Sequence, residues 1–204
     1  MEKHWVEQAF ERSGAILKGH FCLASNLHSD WYLDKFLVYT DPTGTEKICV
    51  AIAYIAFYDQ DTELPIQIVV GPEKGGIVLA HTVARLLREH TPNKEVISVF
   101  TEKGPQNRQT LRESFRKLVA GKRVLIVDDI LLTGGSVRQV IEAIENCYGQ
   151  IVRIGVICNR GKVTSQDIGG FPLFALWETE IESWEPGPEK CPLCKAGVPI
   201  TELK

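Results

Sequence analysis

Two adjacent aspartates at the end of an apolar run are the first residues of this sequence that can do chemistry. Asp128 and Asp129 follow the run VLIV at 124–127, and a TGGS turn at 133–136 comes before a helical pattern begins. Unpaired amides and a partial positive charge at a helix start favour a phosphate, and glycines let the backbone approach it closely. Carboxylates one short loop away suit hydroxyl groups or a hydrated metal ion. The layout predicts a site for a sugar phosphate.

Two better-known phosphate loops are absent from the sequence. No Lys-Ser or Lys-Thr pair follows a glycine-rich stretch, as the Walker A loop requires, and G-x-G-x-x-G does not occur. The alternative is an ordinary strand-to-helix turn with an Asp cap. That alternative requires the acid pair, the spacing and both hydroxyls of the turn to coincide by accident, so we favour the phosphate site.

The stretch VLIVDDILLTGGS at 124–136 resembles the signature of type I phosphoribosyltransferases, which bind phosphoribosyl pyrophosphate (PRPP). Segments 13–36, 71–76 and 191–200 resemble orotate phosphoribosyltransferases and their relatives, in the same order. The resemblance implies Mg²⁺-dependent transfer of phosphoribose from PRPP to a base with release of pyrophosphate. Orotate is the leading acceptor, which would make orotidine 5′-monophosphate for pyrimidine biosynthesis. The alternatives are another purine or pyrimidine acceptor, or a non-catalytic PRPP-sensing regulator.

The resemblance also assigns the donor's phosphate and ribose to the signature. Asp128 and Asp129 are expected to face the ribose hydroxyls, directly or through Mg²⁺ held mainly by PRPP, and to favour the developing cation. The 5′-phosphate is expected on the turn itself: Thr133, Gly134, Gly135 and Ser136.

Pyrophosphate needs a cradle of its own, and two segments are candidates. GPEKGG at 71–76 follows a strand and opens a helix, so its amides point at an anion. The polar run at 101–112 resembles the mobile catalytic loop of orotate phosphoribosyltransferases, with Lys103 as its best catalytic candidate. In that family the loop reaches the neighbouring subunit's site, which implies a homodimer with shared active sites. The residues expected to hold pyrophosphate are Glu73, Lys74, Gly75, Gly76, Arg108 and Arg112.

Base recognition rests on fewer residues. Arg160 stands where relatives place an arginine that contacts orotate's carboxylate, a planar anion that a guanidinium pairs well with. Ser25 and His28 are further polar candidates. Two positions depart from the orotate pattern: Ala24 replaces a substrate-contacting Lys, and Leu132 replaces the first of two threonines.

Composition sets the class of protein. A net charge of -3 without a basic cluster gives no reason to expect nucleic-acid binding. No apolar run is long enough to span a bilayer, and the N-terminus lacks the apolar core of a secretory signal. We therefore expect a cytoplasmic protein with no membrane partner and mostly reduced thiols.

The six cysteines divide into two kinds. Four scattered ones are expected to be small core residues: Cys22, Cys49, Cys147 and Cys158. Cys191 and Cys194 form C-x-x-C, a common half of a zinc site, but the sequence has no second such pair. His20 and His28 reach this pair only through tertiary folding or from another subunit, so we favour a structural knuckle without metal.

Strand and helix patterns alternate along the chain. Helices are predicted at 3–12, at 77–89 and after the signature, where Val137, Val140, Ile141 and Ile144 form one apolar stripe. Strands or strand-like runs are predicted at 31–39, 48–57, 65–70, 95–100, 124–127 and 151–158, with a turn at 41–44. The order predicts an α/β fold with a doubly wound, mostly parallel sheet flanked by helices and ligands at the strand C-terminal ends.

Three regions follow from this order. Residues 1–62 are predicted to form an N-terminal helix and base-binding cap, and residues 63–180 the PRPP-binding core. Residues 181–204, rich in proline, are predicted to be an irregular tail with the C-x-x-C pair, all within one compact domain.

Overall fold

The computed structural model describes residues 4–23, 26–58, 65–90 and 95–202. The chain divides into two units, one formed by Met1–Asp41 with Glu180–Lys204 and the other by Pro42–Thr179. None of the helices within the described residues is long and apolar enough to cross a membrane.

The elements in chain order are helix α1 (Trp5–Arg12), strands β1 (Ile16–Cys22) and β2 (His28–Leu33), helices α2 (Lys35–Val38) and α3 (Pro42–Tyr58), strand β3 (Ile68–Pro72), helix α4 (Gly75–His90), strands β4 (Ile97–Lys103) and β5 (Gln109–Thr110), helix α5 (Glu113–Val119), strand β6 (Arg123–Leu131), helix α6 (Gly135–Glu145), strands β7 (Gln150–Asn159) and β8 (Leu173–Glu178), and helix α7 (Pro192–Lys195).

The larger unit is built on a six-stranded sheet in the order β5-β4-β3-β6-β7-β8. Neighbouring strands run parallel from β4 through β8, and within the described part of this sheet only the short edge strand β5 pairs antiparallel. Parallel strands need crossover connections, which α4 and α6 provide between β3 and β4 and between β6 and β7. This is the doubly wound fold predicted from the sequence.

Both faces of the sheet are buried. Val124 and Ile126 of β6 belong to one apolar cluster with Val137 and Val140 of α6, whereas the alternating residue Leu125 is fully buried outside that cluster. Since successive strand side chains point to opposite faces, the second face must also be covered, and α3 and α4 contact the strands there. Near-continuous apolar strands such as β6 are typical of sheets covered on both sides.

The smaller unit joins both ends of the chain. Strands β1 and β2 form an antiparallel hairpin with an irregularity between Lys18 and Phe21. The C-terminal segment pairs with this hairpin through two backbone hydrogen bonds between His28 and Trp184 of 2.7 and 2.8 Å. Cys22, which we expected in the core, is exposed at the end of β1.

The N-terminal third of the chain differs from the sequence prediction. The strand-like run at 48–57 lies within helix α3, and the run at 31–39 is divided between β2 and the short helix α2. The predicted turn at 41–44 is the start of α3, where Pro42 occupies the first helical position. Ile48, Ile52 and Ala56 are buried at a spacing of four, which explains why this apolar run is a helix.

The units of the structure also have bounds other than the predicted regions. Helix α3 packs against α4, so the larger unit begins at Pro42 rather than at 63. The C-terminal residues from Glu180 onward belong with the N-terminal 41 residues, and α7 is the one helix among the described residues of that segment.

Candidate active site at the switch point of the sheet

Strands β3 and β6 lie side by side, but their connections leave in opposite directions. Strand β3 leads through α4 to β4 on one side, and β6 leads through α6 to β7 on the other. The loops that follow the two strands therefore diverge and leave a crevice at their C-terminal ends, which is where ligands bind in sheets of this kind. The predicted phosphate and pyrophosphate loops are these two loops.

Strand β6 is longer than predicted and contains both acids. It continues to Leu131, with Asp128 opposite Val156 and Leu131 opposite Asn159 of β7. Asp128 and Asp129 are 3% and 1% exposed, so both carboxylates are buried. Because successive strand side chains alternate, the two acids point to opposite faces of the sheet.

Each acid is oriented by the next residue of the chain. Asp128 Oδ1 accepts a hydrogen bond from the amide of Asp129 at 2.8 Å, and Asp129 Oδ1 accepts one from the amide of Ile130 at 2.7 Å. A backbone amide that donates to a carboxylate oxygen fixes the orientation of that side chain. Both carboxylates are therefore held in place a few residues before the phosphate loop.

The loop after β6 has the geometry expected of a phosphate cradle. Gly134 is the N-cap of α6 with φ of 71°, a left-handed conformation that favours glycine. The amides of the first turn of α6 are unpaired within the helix and point out of its N-terminus. Thr133 and Ser136 are exposed beside them, so both hydroxyls are accessible to an anion.

The loop after β7 packs directly on the phosphate loop, which the sequence did not reveal. A Cβ on Gly161 would lie 1.6 Å from the carbonyl oxygen of Leu132, so only glycine permits this approach. The amide of Arg160 donates to Leu131 O at 2.9 Å, and the Asn159 side chain bonds the backbone of Val163 in both directions. The sequence signal for this support is an Asn-Arg-Gly run directly after an apolar strand.

The second loop, at 73–76, is closed by a contact between two glycines. A Cβ on Gly76 would lie 2.5 Å from Pro72 Cδ and 2.9 Å from backbone atoms of Gly71. Gly75 and Gly76 begin α4 and are buried, whereas Lys74 is exposed, and the peptide bond between Glu73 and Lys74 is cis. The loop therefore combines a helix start with an exposed lysine at the crevice.

The polar run at 101–112 is an ordered hairpin. Residues Glu102 and Lys103 of β4 pair with Thr110 and Gln109 of β5, and the buried Thr101 hydroxyl donates to Gln109 Oε1 at 2.6 Å. Lys103 is exposed at the end of β4, beside the C-terminal ends of β3 and β6.

The two arginines of this run have acidic partners. Arg112 forms an ion pair with Glu102 and lies over the rings of Phe100 and Phe115. Arg108 lies 3.7 Å from Glu142 of α6, with both side chains more than half exposed, so this pair is weak and easily exchanged for another anion.

The residues predicted to contact the base fall in different places. Arg160 is half-buried at the end of β7, in the larger unit. His28 lies in the smaller unit, where its ring is directed to His20 and Cys194 instead of standing free for a base. Ser25 lies outside the described residues, as does Ala24.

Cys158 precedes Arg160 by two residues but is unsuited to a nucleophilic role. Burial raises the pKa of its thiol to about 12, although the positive charge of Arg160 acts in the opposite direction. The thiol is therefore neutral near pH 7, and the chemistry of the site rests on carboxylates, hydroxyls, amides and cationic side chains.

Comparisons with known proteins agree with this geometry. Residues 43–171 match the family described as the phosphoribosyl transferase domain. The orotate phosphoribosyltransferase of Caldicellulosiruptor bescii is 38% identical over 99% of this chain and 97% of its own length, and that of Caldanaerobacter subterraneus is 35% identical over the same shares. The crystal structure of orotate phosphoribosyltransferase from Aeropyrum pernix superposes with a TM-score of 0.65, at 21% identity over 85% of this chain and 93% of that one.

Proposed function

We propose, from the premise that this chain belongs to the orotate phosphoribosyltransferases, that it transfers the 5-phosphoribosyl group from PRPP to orotate. The products are orotidine 5′-monophosphate and pyrophosphate, in the biosynthesis of pyrimidine nucleotides. The observation that carries the proposal is the 38% identity to a named enzyme of this activity over 99% of the chain. The two anion loops at the switch point of the sheet supply the physical means.

The loop at 133–136 is proposed to hold the 5′-phosphate. The amides at the start of α6 and the exposed hydroxyls of Thr133 and Ser136 donate hydrogen bonds to its oxygens. The loop at 73–76 is proposed to hold pyrophosphate, with amides from the start of α4 and the charge of Lys74. Two anionic groups held across one crevice fix the ribose between them. Such positioning of the reacting groups is a main contribution to catalysis of this transfer.

The reaction breaks the bond between C1 of the ribose and a pyrophosphate oxygen and forms a bond from C1 to a ring nitrogen of the base. Positive charge develops on the ribose and negative charge on the leaving group. Asp128 and Asp129 are proposed to stabilise the first, and Lys103 with Arg108 and Arg112 the second. For Arg112 this requires exchange of its pair with Glu102 for the departing anion.

Mg²⁺ is proposed as the cofactor, bound mainly by the phosphates of PRPP. The chemistry near the crevice fits it, because Asp128 or Asp129 offers a carboxylate oxygen and Mg²⁺ takes oxygen ligands while keeping several waters. When bound, Mg²⁺ would neutralise charge on pyrophosphate. The chain's own residues orient the sugar and exclude water.

Arg160 is proposed to select the acceptor. Its guanidinium is planar and charged, and it pairs with the planar carboxylate of orotate through two parallel hydrogen bonds. Backbone contacts from Arg160 and Gly161 to the phosphate loop fix the base of this side chain. A base without a carboxylate does not form this pair of hydrogen bonds.

A homodimer with shared active sites is also proposed. It rests on family membership and on the position of Lys103, exposed near the tip of a hairpin that projects from the strand ends. The cytoplasmic location predicted from the sequence stays a prediction, as does the absence of nucleic-acid and membrane partners.

The deciding experiment is a base panel. Purified protein, PRPP and Mg²⁺ are mixed with orotate, uracil, hypoxanthine or adenine, and pyrophosphate and nucleotide product are both measured. We expect turnover with orotate at least 100-fold above every other base. Turnover with a different base and not with orotate would assign another acceptor, and tight PRPP binding without turnover on any base would favour the sensing regulator.

A further inference from the structure

Two histidines and two cysteines, residue types that commonly bind metals, meet in the smaller unit. His20 comes from β1, His28 from β2, and Cys191 and Cys194 from the C-terminal segment. One ligand atom from each lies within 4.8 Å of every other. His20, His28 and Cys191 are 2%, 9% and 1% exposed, and Cys194 is half-buried.

The distances between ligand atoms are close to those of a tetrahedral metal site. His20 Nε2 lies 3.7 Å from Cys191 Sγ, 3.8 Å from Cys194 Sγ and 2.8 Å from His28 Nδ1, and Cys194 Sγ lies 3.3 Å from His28 Nδ1. Around tetrahedral Zn²⁺, with bonds of about 2.3 Å to sulfur and 2.0 Å to nitrogen, neighbouring ligand atoms are roughly 3.3 to 3.8 Å apart. The three nitrogen–sulfur separations lie in or near this range, and the two nitrogens at 2.8 Å are somewhat closer than it.

The second nitrogen of His20 has the partner that a metal ligand requires. Its Nδ1 lies 2.6 Å from the carbonyl oxygen of Val198, an acceptor, so Nδ1 carries the proton and donates it. Nε2 then has a lone pair directed at Cys191, Cys194 and His28. Histidine ligands of metals are commonly oriented in this way by a backbone carbonyl.

The cysteine pair has the local geometry of a metal knuckle. Cys191 precedes the single-turn helix α7, and its Sγ accepts a hydrogen bond from the amide of Cys194 at 3.5 Å. The amide of Lys195 donates to Cys191 O at 3.0 Å and closes the turn. The turn therefore places both sulfurs of the C-x-x-C pair on one side, as a metal knuckle requires.

We propose that His20, His28, Cys191 and Cys194 bind one structural Zn²⁺ ion. Two imidazoles and two thiolates suit tetrahedral Zn²⁺, and four protein ligands fill its coordination shell, which is the mark of a structural rather than a catalytic site. The ion ties the C-terminal segment to the β1–β2 hairpin. The sequence favoured a knuckle without metal because the two histidines lie more than 160 residues away along the chain, and the fold supplies them.

A hydrogen bond between the two histidines is the competing explanation of the short contact. It accounts for His20 and His28 at 2.8 Å, but not for two sulfur atoms at 3.7 and 3.8 Å from the same nitrogen. It also predicts no metal in the purified protein. Metal content therefore separates the two explanations.

The first test measures metal in the whole chain after any affinity tag is removed. We expect about one equivalent of zinc per chain by mass spectrometry of the metal. Replacement by Co²⁺ should give the visible d–d bands of a tetrahedral ion and a near-ultraviolet thiolate-to-cobalt charge-transfer band. Less than a tenth of an equivalent after titration with Zn²⁺ under reducing conditions, or cobalt spectra without a charge-transfer band, would overturn the proposal.

Variants identify the ligands. Cys194→Ser and His20→Ala should each lose the tetrahedral cobalt spectrum and lower the metal content by more than half. Cys22→Ser is the matched control, because Cys22 lies on the same hairpin, is exposed and lies outside the four-residue cluster. A full zinc equivalent with an unchanged spectrum in Cys194→Ser would contradict the assignment, and circular dichroism establishes that each variant is folded.

Stability gives a readout that does not depend on phosphoribosyl transfer. A zinc chelator should lower the melting temperature of the native chain by several degrees, and added Zn²⁺ should restore it. Cys194→Ser should start from the lower melting temperature and not respond to either treatment. An unchanged melting temperature in the native chain after complete zinc removal would show that the ion does not tie the segments together.

Discussion

At the scale of single residues, Asp129 combines burial with a carboxylate oriented by the backbone. It is 1% exposed, and its Oδ1 accepts the amide of Ile130 at 2.7 Å. Asparagine keeps this shape, and its carbonyl oxygen still accepts that bond, so Asp129→Asn removes the charge and replaces the second carboxylate oxygen by an NH₂ group. We expect turnover with PRPP and orotate to fall roughly 100-fold or more, because charge that stabilises the developing cation is lost. Steady-state kinetics measures this.

Glu145→Gln is the control for this substitution. It makes the same change in charge at an exposed position at the end of α6. Its turnover should equal that of the native chain. If Asp129→Asn also kept native turnover while folded, the carboxylate would have no role in stabilising the ribosyl cation.

Lys103 is the second residue whose proposed role can be tested by a single substitution. Its ammonium is exposed at the end of β4, where it is proposed to meet departing pyrophosphate. Lys103→Ala should lower kcat by at least tenfold and change the KM for PRPP less, because the charge acts most strongly on the leaving group.

Lys122→Ala provides the comparison. Lys122 is exposed just before β6, at the N-terminal end of that strand, whereas the crevice lies at the C-terminal ends. Its removal therefore makes the same change in net charge away from the crevice. Equal kcat values for the two variants would remove Lys103 from the proposed machinery.

The positions of the candidate residues in the fold were predictable from sequence only where those residues lie within one short stretch of the chain. The loops at 73–76 and 133–136 each lie within one short stretch, and the fold brings them to adjacent strand ends as expected. His28 was predicted to contact the base. The sequence does not show that its ring meets Cys194, which is 166 residues away along the chain. We predicted that the strand ends with the apolar run VLIV, whereas β6 continues to Leu131. The sequence therefore did not indicate that Asp128 and Asp129 alternate within the strand.

At the scale of elements, α3 shows why some assignments from sequence fail. Its residues are mostly apolar and include several β-branched and aromatic ones, so composition favours a strand. The spacing of Ile48, Ile52 and Ala56 and the proline at the first position favour a helix. Helix α3 is buried against α4 and the strands, and this packing favours the helix. Such packing depends on the whole fold and cannot be recognised in the local sequence.

Helix α4 begins where Gly76 contacts Gly71, and this close packing predicts the effect of adding a side chain. A Cβ on Gly76 would meet Pro72 Cδ at 2.5 Å and the Gly71 backbone at 2.9 Å, and neither can move without shifting β3 or α4. Gly76→Ala should therefore cost about 1 to 3 kcal/mol of folding free energy. For a chain of 204 residues this lowers the melting temperature by roughly 2 to 10 °C, measurable by calorimetry.

Gly135→Ala is the matched control for stability. Gly135 is also at the start of a helix, but a Cβ there meets only Thr133 Oγ1 at 3.5 Å, an ordinary contact. Its melting temperature should be equal or slightly higher, because alanine restricts the unfolded chain. A larger loss in Gly135→Ala than in Gly76→Ala would contradict the packing argument.

At the scale of the whole molecule, thiol reactivity reports on burial in the sheet unit. Burial raises the pKa of both Cys49 and Cys158 to about 12, so these thiols stay protonated and unreactive at pH 8. Cys22 is exposed and should be alkylated first. Peptide mapping after brief alkylation should show Cys49 and Cys158 modified only once denaturant unfolds the chain, and early modification of Cys158 would place β7 at the surface.

The proposed homodimer predicts that two inactive chains restore activity together. If Lys103 serves the partner's site, chains carrying Lys103→Ala and chains carrying Asp129→Asn complement each other in mixed dimers, since one of the two sites then has both native residues. Random assembly makes half of the dimers mixed, so refolding an equal mixture should recover about a quarter of native activity. Each variant refolded with itself is the control. Recovery no greater than the sum of those controls would mean that each chain completes its own site, and Lys103 would then act on the pyrophosphate bound by the same subunit.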